Sequence, residues 1–139
     1  MTTQIDTEML ERSVGRFKPR VTVEALRSLC RDNEFLSEIL EGLINDALRY
    51  TESICKFEQI RLKYSSAFDQ NGEREEIEKV RGSIHDVFIQ SVNVLSRSMA
   101  RAGKDITWRS KIGESRAHLG CFALLISFEI VTNQKRRIS

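Results

Sequence analysis

Backbone breakers are scarce in this chain: one proline and seven glycines among 139 residues. That scarcity excludes an all-β domain, which needs a turn signal roughly every ten residues, and it leaves long uninterrupted elements. Cysteine is also scarce. Cys30, Cys55 and Cys121 are odd in number and their gaps match no metal-ligand spacing. Each sits in an apolar helical context, so buried reduced thiols and a cytoplasmic location are expected. Long hydrophobic runs are missing. Leu119–Phe128 is apolar but short of the roughly 20 residues a spanning helix needs, so no membrane segment is expected. The opening MTTQIDTEMLERS has neither the basic nor the apolar region of a signal peptide. An excess of one charge is absent too, since 22 Lys and Arg face 20 Asp and Glu for a net charge of +2. With few aromatics and no basic face, nucleic acid is not an expected partner. There is no glycine-rich phosphate loop and no Ser-His-Asp or Cys-His arrangement of recognisable spacing, so no cofactor, metal or catalytic set is expected.

What is present reads as helix. Apolar residues make up 40% of the chain and charged residues 30%, an ordinary balance for a helical domain with solvated faces. A chain of this length favours one domain and buries roughly two-thirds of its unfolded surface. Residues 1–18 form an amphipathic pattern through Ile5, Met9, Val14 and Phe17, which Pro19 ends. Thr22 is placed to cap a second short helix and the pair Asp32-Asn33 a third. The third is long, about Asn33 to Tyr64, with Leu36, Leu40, Leu43 and Ala47 on its buried side. SSAFDQNG, residues 65–72, is the clearest loop. A fourth helix of similar length runs from about Glu73 to Ala102 behind the acidic turn EREE. Its apolar rhythm is Ile77, Val80, Ile84, Val87, Phe88, Val94, Leu95 and Met99, and Gly103 stops it. Two such helices joined by a short loop predict an antiparallel hairpin. After a short helical turn, Ile106–Ile112, capped by Asp105 or Thr107, a last helix from about Glu114 to Thr132 is apolar nearly all round between Leu119 and Val131. Such a helix is central in a bundle or covered by another subunit.

Four constellations bear on chemistry. Asp86, Gln90, Asn93 and Arg97 share one helix face. A solvated face is the plain reading, and a partly covered strip in which Arg97 bridges to Asp86 through Asn93, or presents its forked donors to an anion, is the sharper one. Trp108, Arg109 and Arg116 follow. If the connector folds back, the three arginines converge beside an indole and suit a phosphate, a carboxylate or a protein partner; otherwise Trp108 covers the core. His85-Asp86 invites comparison with HD-type phosphohydrolases, but no His precedes residue 85 to complete that ligand set. Glu38-x-x-Glu41 and Glu75-x-x-Glu78 resemble the magnesium site of all-α nucleotide pyrophosphohydrolases. A hairpin turning near residue 69 sets position 38 against about 100 and position 75 against about 63, which separates the two pairs.

The pattern His85-Asp86-x-x-Ile89-x-x-Val92-Asn93-x-Leu95-x-Arg97, then Gly103-x-Asp105-x-x-Trp108-Arg109, then Arg116-x-x-x-Gly120-x-Phe122-Ala123, resembles a family of small uncharacterised bacterial proteins classed as a domain of unknown function. The resemblance spans residues 85–123 and implies a soluble helical bacterial protein with no assigned activity.

These readings predict an all-α, single-domain helical bundle over residues 1–134, with a basic tail at 135–139. Its hairpin, about 33–64 and 73–102, packs on the apolar C-terminal helix, about 114–132, with the two short N-terminal helices on one side. The expected function is that of a non-enzymatic interaction or regulatory protein, a homodimer that acts on another protein or on its own copy. The alternative is a binding protein or enzyme for a small anionic ligand at Asp86, Asn93, Arg97, Trp108, Arg109 and Arg116.

Overall fold

The computed structural model describes Glu8 and residues 22–63, 73–112 and 116–138. The expected N-terminal helix and the 65–72 loop lie outside the described residues. Within them the chain is all-α: α1 Val23–Cys30, α2 Glu34–Lys63, α3 Glu73–Arg101, α4 Thr107–Ile112 and α5 Arg116–Ile138.

The helix ends follow local chemistry. Thr22 Oγ1 accepts the Ala25 N–H at 3.1 Å, and Asn33 Oδ1 accepts the Leu36 N–H at 3.1 Å, so both predicted caps are made. α3 ends at Gly103, whose φ of 72° places it in the left-handed region. There the Lys104 N–H reaches the Met99 carbonyl at 2.9 Å and the Gly103 N–H reaches that of Ala100 at 3.1 Å, the pair of bonds of a Schellman stop. The turn delivers Lys104 to Asp32 at the α1–α2 junction, with Nζ 2.6 and 2.7 Å from the carboxylate oxygens. The Lys104 ammonium holds the Asp32 carboxyl below its ordinary range. Asp105 Oδ1 accepts the Thr107 N–H at 2.9 Å and starts α4.

α2 and α3 form the hairpin. Ser91 donates to Asp46, the rings of Tyr50 and His85 meet edge-on at 5.0 Å, and the Arg81 guanidinium lies 4.4 Å over the Phe57 ring. These pairs descend one helix as they climb the other, in the register expected from a turn near residue 69. α1 packs on α2, and α5 packs along α2 with α4 against it. Leu26, Leu36, Leu40, Leu43, Leu95 and Met99 fill the core with Ile126. One line of rings, Tyr50, Phe88, Phe122 and Trp108, at 6.0, 6.1 and 6.0 Å between centroids, ties α2, α3, α5 and α4 together.

Two expectations differ from the structure, and one open alternative is resolved. α5 continues through Lys135, Arg136 and Arg137 to Ile138, where a separate tail was expected; no Gly or Pro interrupts it, and cations at a helix C-terminus are favoured by its dipole. The apolar part of α5 is buried by its own chain from Leu119 to Ser127, apart from the half-buried Cys121, so this helix does not need a second subunit to cover it. Finally, Val80, Val87 and Val94 do not belong to the buried side of α3. They are 53%, 41% and 40% exposed, whereas Phe88, Val92, Leu95 and Met99 are buried. The physical reason is angular: Val87 and Phe88 are about 100° apart round the helix, so the single apolar rhythm of the sequence is two lines on different faces.

Candidate functional site

The polar strip of α3 faces away from the core as expected. Asp86, Gln90 and Arg97 are exposed and Asn93 is half-buried. Asn93 is half-buried because the connector after α3 folds back along that helix. Arg109 Nη2 donates to Asn93 Oδ1 at 2.5 Å. Trp108, one residue earlier on α4, points the other way. It is 4% exposed and stacks toward Phe122. Its indole N–H is buried and has no acceptor among the described residues.

The six candidate residues therefore divide. Asn93 and Arg109 meet, and Arg97 lies one turn beyond Asn93 on the same helix. Asp86 lies two turns before Asn93 and is exposed. The bridge from Arg97 to Asp86 through Asn93, one of the alternatives for this strip, is not made: Asn93 accepts from Arg109, and neither Arg97 nor Asp86 forms an ion pair among the described residues. Trp108 covers the core and is not part of the polar surface. Arg116 opens α5, and its side chain lies outside the described residues. What the arrangement offers is a half-buried guanidinium fixed by an amide at the rim of α3, with a second, solvated guanidinium nearby.

Comparison with protein-family models, curated proteins and solved structures finds no match to this chain. The geometry itself therefore carries the functional reading.

The remaining polar groups knit helices together. Ser127 Oγ donates to Thr51 Oγ1 at 2.8 Å with both residues fully buried, joining α5 to α2. Glu129 Oε2 accepts the Val23 N–H at 3.0 Å and so caps α1 from α5. Burial pushes the Glu129 carboxyl above its ordinary range, although the Val23 and Glu24 amides draw it part of the way back; Glu24 adds to the rise and Arg27 opposes it. Spacing along the chain signals none of these contacts, since their partners are 76 and 106 residues apart. Burial also raises the Cys30 and Cys121 thiols, which leaves them protonated and weakly nucleophilic at neutral pH. Glu41 pairs with Arg27 at 3.3 Å, and the hairpin register keeps it and Glu38 far from Glu75 and Glu78. Among the described residues no group of three or more His, Cys, Asp or Glu is placed to hold a metal ion, and no helix is long and apolar enough to cross a membrane.

Proposed function

We propose that this chain is a non-enzymatic interaction or regulatory protein that acts as a homodimer. The observation that carries the reading is the line of three valines along the outer face of α3, each between 40% and 53% exposed. A small domain gains nothing in stability from aligned apolar side chains left in water, and such alignment is a feature of protein contact surfaces. The apolar α5, by contrast, is satisfied internally and lends no support to a dimer. A bacterial setting, which the resemblance of residues 85–123 implies, and a cytoplasmic one, expected from reduced cysteines, belong to the same proposal. Size-exclusion chromatography with light scattering tests it. A mass rising with concentration from the 16.0 kDa of one chain toward twice that value is expected; one chain at every concentration sinks the dimer.

A second reading, a small phosphate- or carboxylate-bearing ligand, is favoured by the half-buried Arg109 guanidinium at Asn93 with Arg97 one turn on. Thermal-shift measurement with nucleotides and organic acids separates the two readings. A compound that stabilises the wild type and fails to stabilise both Arg97→Ala and Arg109→Ala supports the ligand; no stabilisation by any compound removes it.

A further inference from the structure

We infer that the outer face of α3 is a two-fold seam, on which α3 of a second copy packs antiparallel with Val87 at the axis. The inference rests on the dimer reading above and adds to it the surface, the direction and the register.

Val80, Val87 and Val94 are a heptad apart and fall within about 40° of one another round the helix. The line runs about 21 Å, and their spacing is the same read in either direction from Val87. An isologous contact demands that property, because each copy must present the same patch to the other. Antiparallel pairing about Val87 sets Val80 of one copy against Val94 of the other, twice. Parallel pairing accommodates the valines equally well, so the charges must decide between the two directions.

The exposed face of α3 changes sign along its length. Glu75 and Glu76 are exposed near its start, and Arg97 and Arg101 are exposed near its end, with Lys79 the one exposed cation in the first half among the described residues. Glu76 and Arg97 lie on the same flank of the valine line, and neither forms an ion pair among the described residues. They stand almost equally far from Val87 in opposite directions. The antiparallel arrangement therefore brings Glu76 to Arg97 of the second copy at both ends of the seam. A parallel two-fold carries this flank to opposite sides of the seam, so it would leave Glu76 and Arg97 without each other as partners. Antiparallel helices also oppose their dipoles. Asp86 approaches its own copy most closely, but it lies about 100° round from Val87, off the seam. One helix face is a small interface, so the dimer is a weak, concentration-dependent one.

Sedimentation equilibrium of the full chain is the test, with circular dichroism to verify the fold of each variant. The substituted positions on α3 are all exposed, and Cys121 is half-buried. Val87→Glu is expected to give monomer. Arg97→Glu and Glu76→Arg are each expected to raise the dissociation constant at least about tenfold, and the combined swap to recover most of that loss. For direction, cysteines are placed in a Cys121→Ser background. Val80→Cys mixed with Val94→Cys is expected to form a mixed disulfide under mild oxidation, while Val80→Cys alone forms none. A disulfide of Val80→Cys with itself shows parallel helices and overturns the inference. A dimer that persists unchanged in Val87→Glu overturns it too, while leaving the dimer reading intact. A wild type that is monomeric throughout overturns both. Photocross-linking from position 90 that traps residues 1–21 of the same chain, not α3 of a second copy, names a different occupant and also overturns it.

Discussion

At the scale of single residues, Glu129 carries the most consequence. It sits on α5 and supplies the acceptor that the first turn of α1 needs, joining elements at opposite ends of the chain. Its two roles conflict. The carboxylate suits the positive end of a helix dipole, but burial favours the neutral acid and prevails, since the folded value is raised above the ordinary 4.5. A raised acid contributes its stability below the unfolded value, and that contribution is lost as pH rises through the folded one. Glu129→Gln retains an oxygen acceptor and removes the charge. Its stability relative to the wild type is expected to increase as pH rises from 4.5 toward neutrality, measured by urea unfolding at a series of pH values. Glu129→Ala should lose about 1 kcal/mol near pH 4.5, because the Val23 N–H then lacks its acceptor, and that loss should shrink as pH rises, because alanine carries no carboxyl to be charged while buried. A wild type and Gln variant that stay parallel across the range would refute the buried-charge argument. Little of this could be read in the sequence, where Glu129 is only a polar break in an apolar helix. Trp108 and Arg109 illustrate the same limit: they are neighbours in the sequence, but the turn of α4 that sends one into the core and the other to Asn93 is a tertiary outcome.

At the scale of elements, α2 and α3 were readable almost to the residue because their ends are written in side chains such as Asn33 and Gly103, as the starts of α1 and α4 are in Thr22 and Asp105, whereas α5 runs six residues past its expected end. Gly103 permits a sharper check, by comparison with Gly42. Neither glycine has an atom within 4 Å of where a Cβ would stand, so space does not distinguish them. Conformation does, since Gly103 has φ of +72° and Gly42 lies within α2. Gly103→Ala is expected to cost about 1–2 kcal/mol through left-handed strain. Gly42→Ala is expected to add roughly 1 kcal/mol by helix propensity. Opposite shifts in thermal midpoint are the expected result, and shifts of the same sign would contradict the Schellman stop. The element-level error in the sequence reading was on α3. Apolar spacings of three, four and seven overlap, and without knowing where α2 and α5 lie, the buried line through Phe88 and Leu95 cannot be told from the exposed line through Val87 and Val94.

At the scale of the whole molecule, the question the sequence left open was whether α5 is internal or covered by a partner. Periodicity cannot decide, because both fates demand apolar residues on every side. Packing decides it: Phe122, 1% exposed, stands between Phe88 and Trp108, so α5 and α4 close over the hairpin as one core. If that is one cooperative unit, removing its centre must be felt everywhere. Phe122→Ala is expected to cost about 3–5 kcal/mol, a large part of the roughly 5–15 kcal/mol that holds a domain of this kind together. Trp108 is the sole tryptophan, so its emission reports α4 and α5 while far-UV circular dichroism reports mainly the long hairpin. In urea the two signals of the wild type should change together. In Phe122→Ala both midpoints should move down by the same amount. If tryptophan emission moved while the helical signal stayed, α4 and α5 would be a separable cap on an independent hairpin, and the single core would have to be given up.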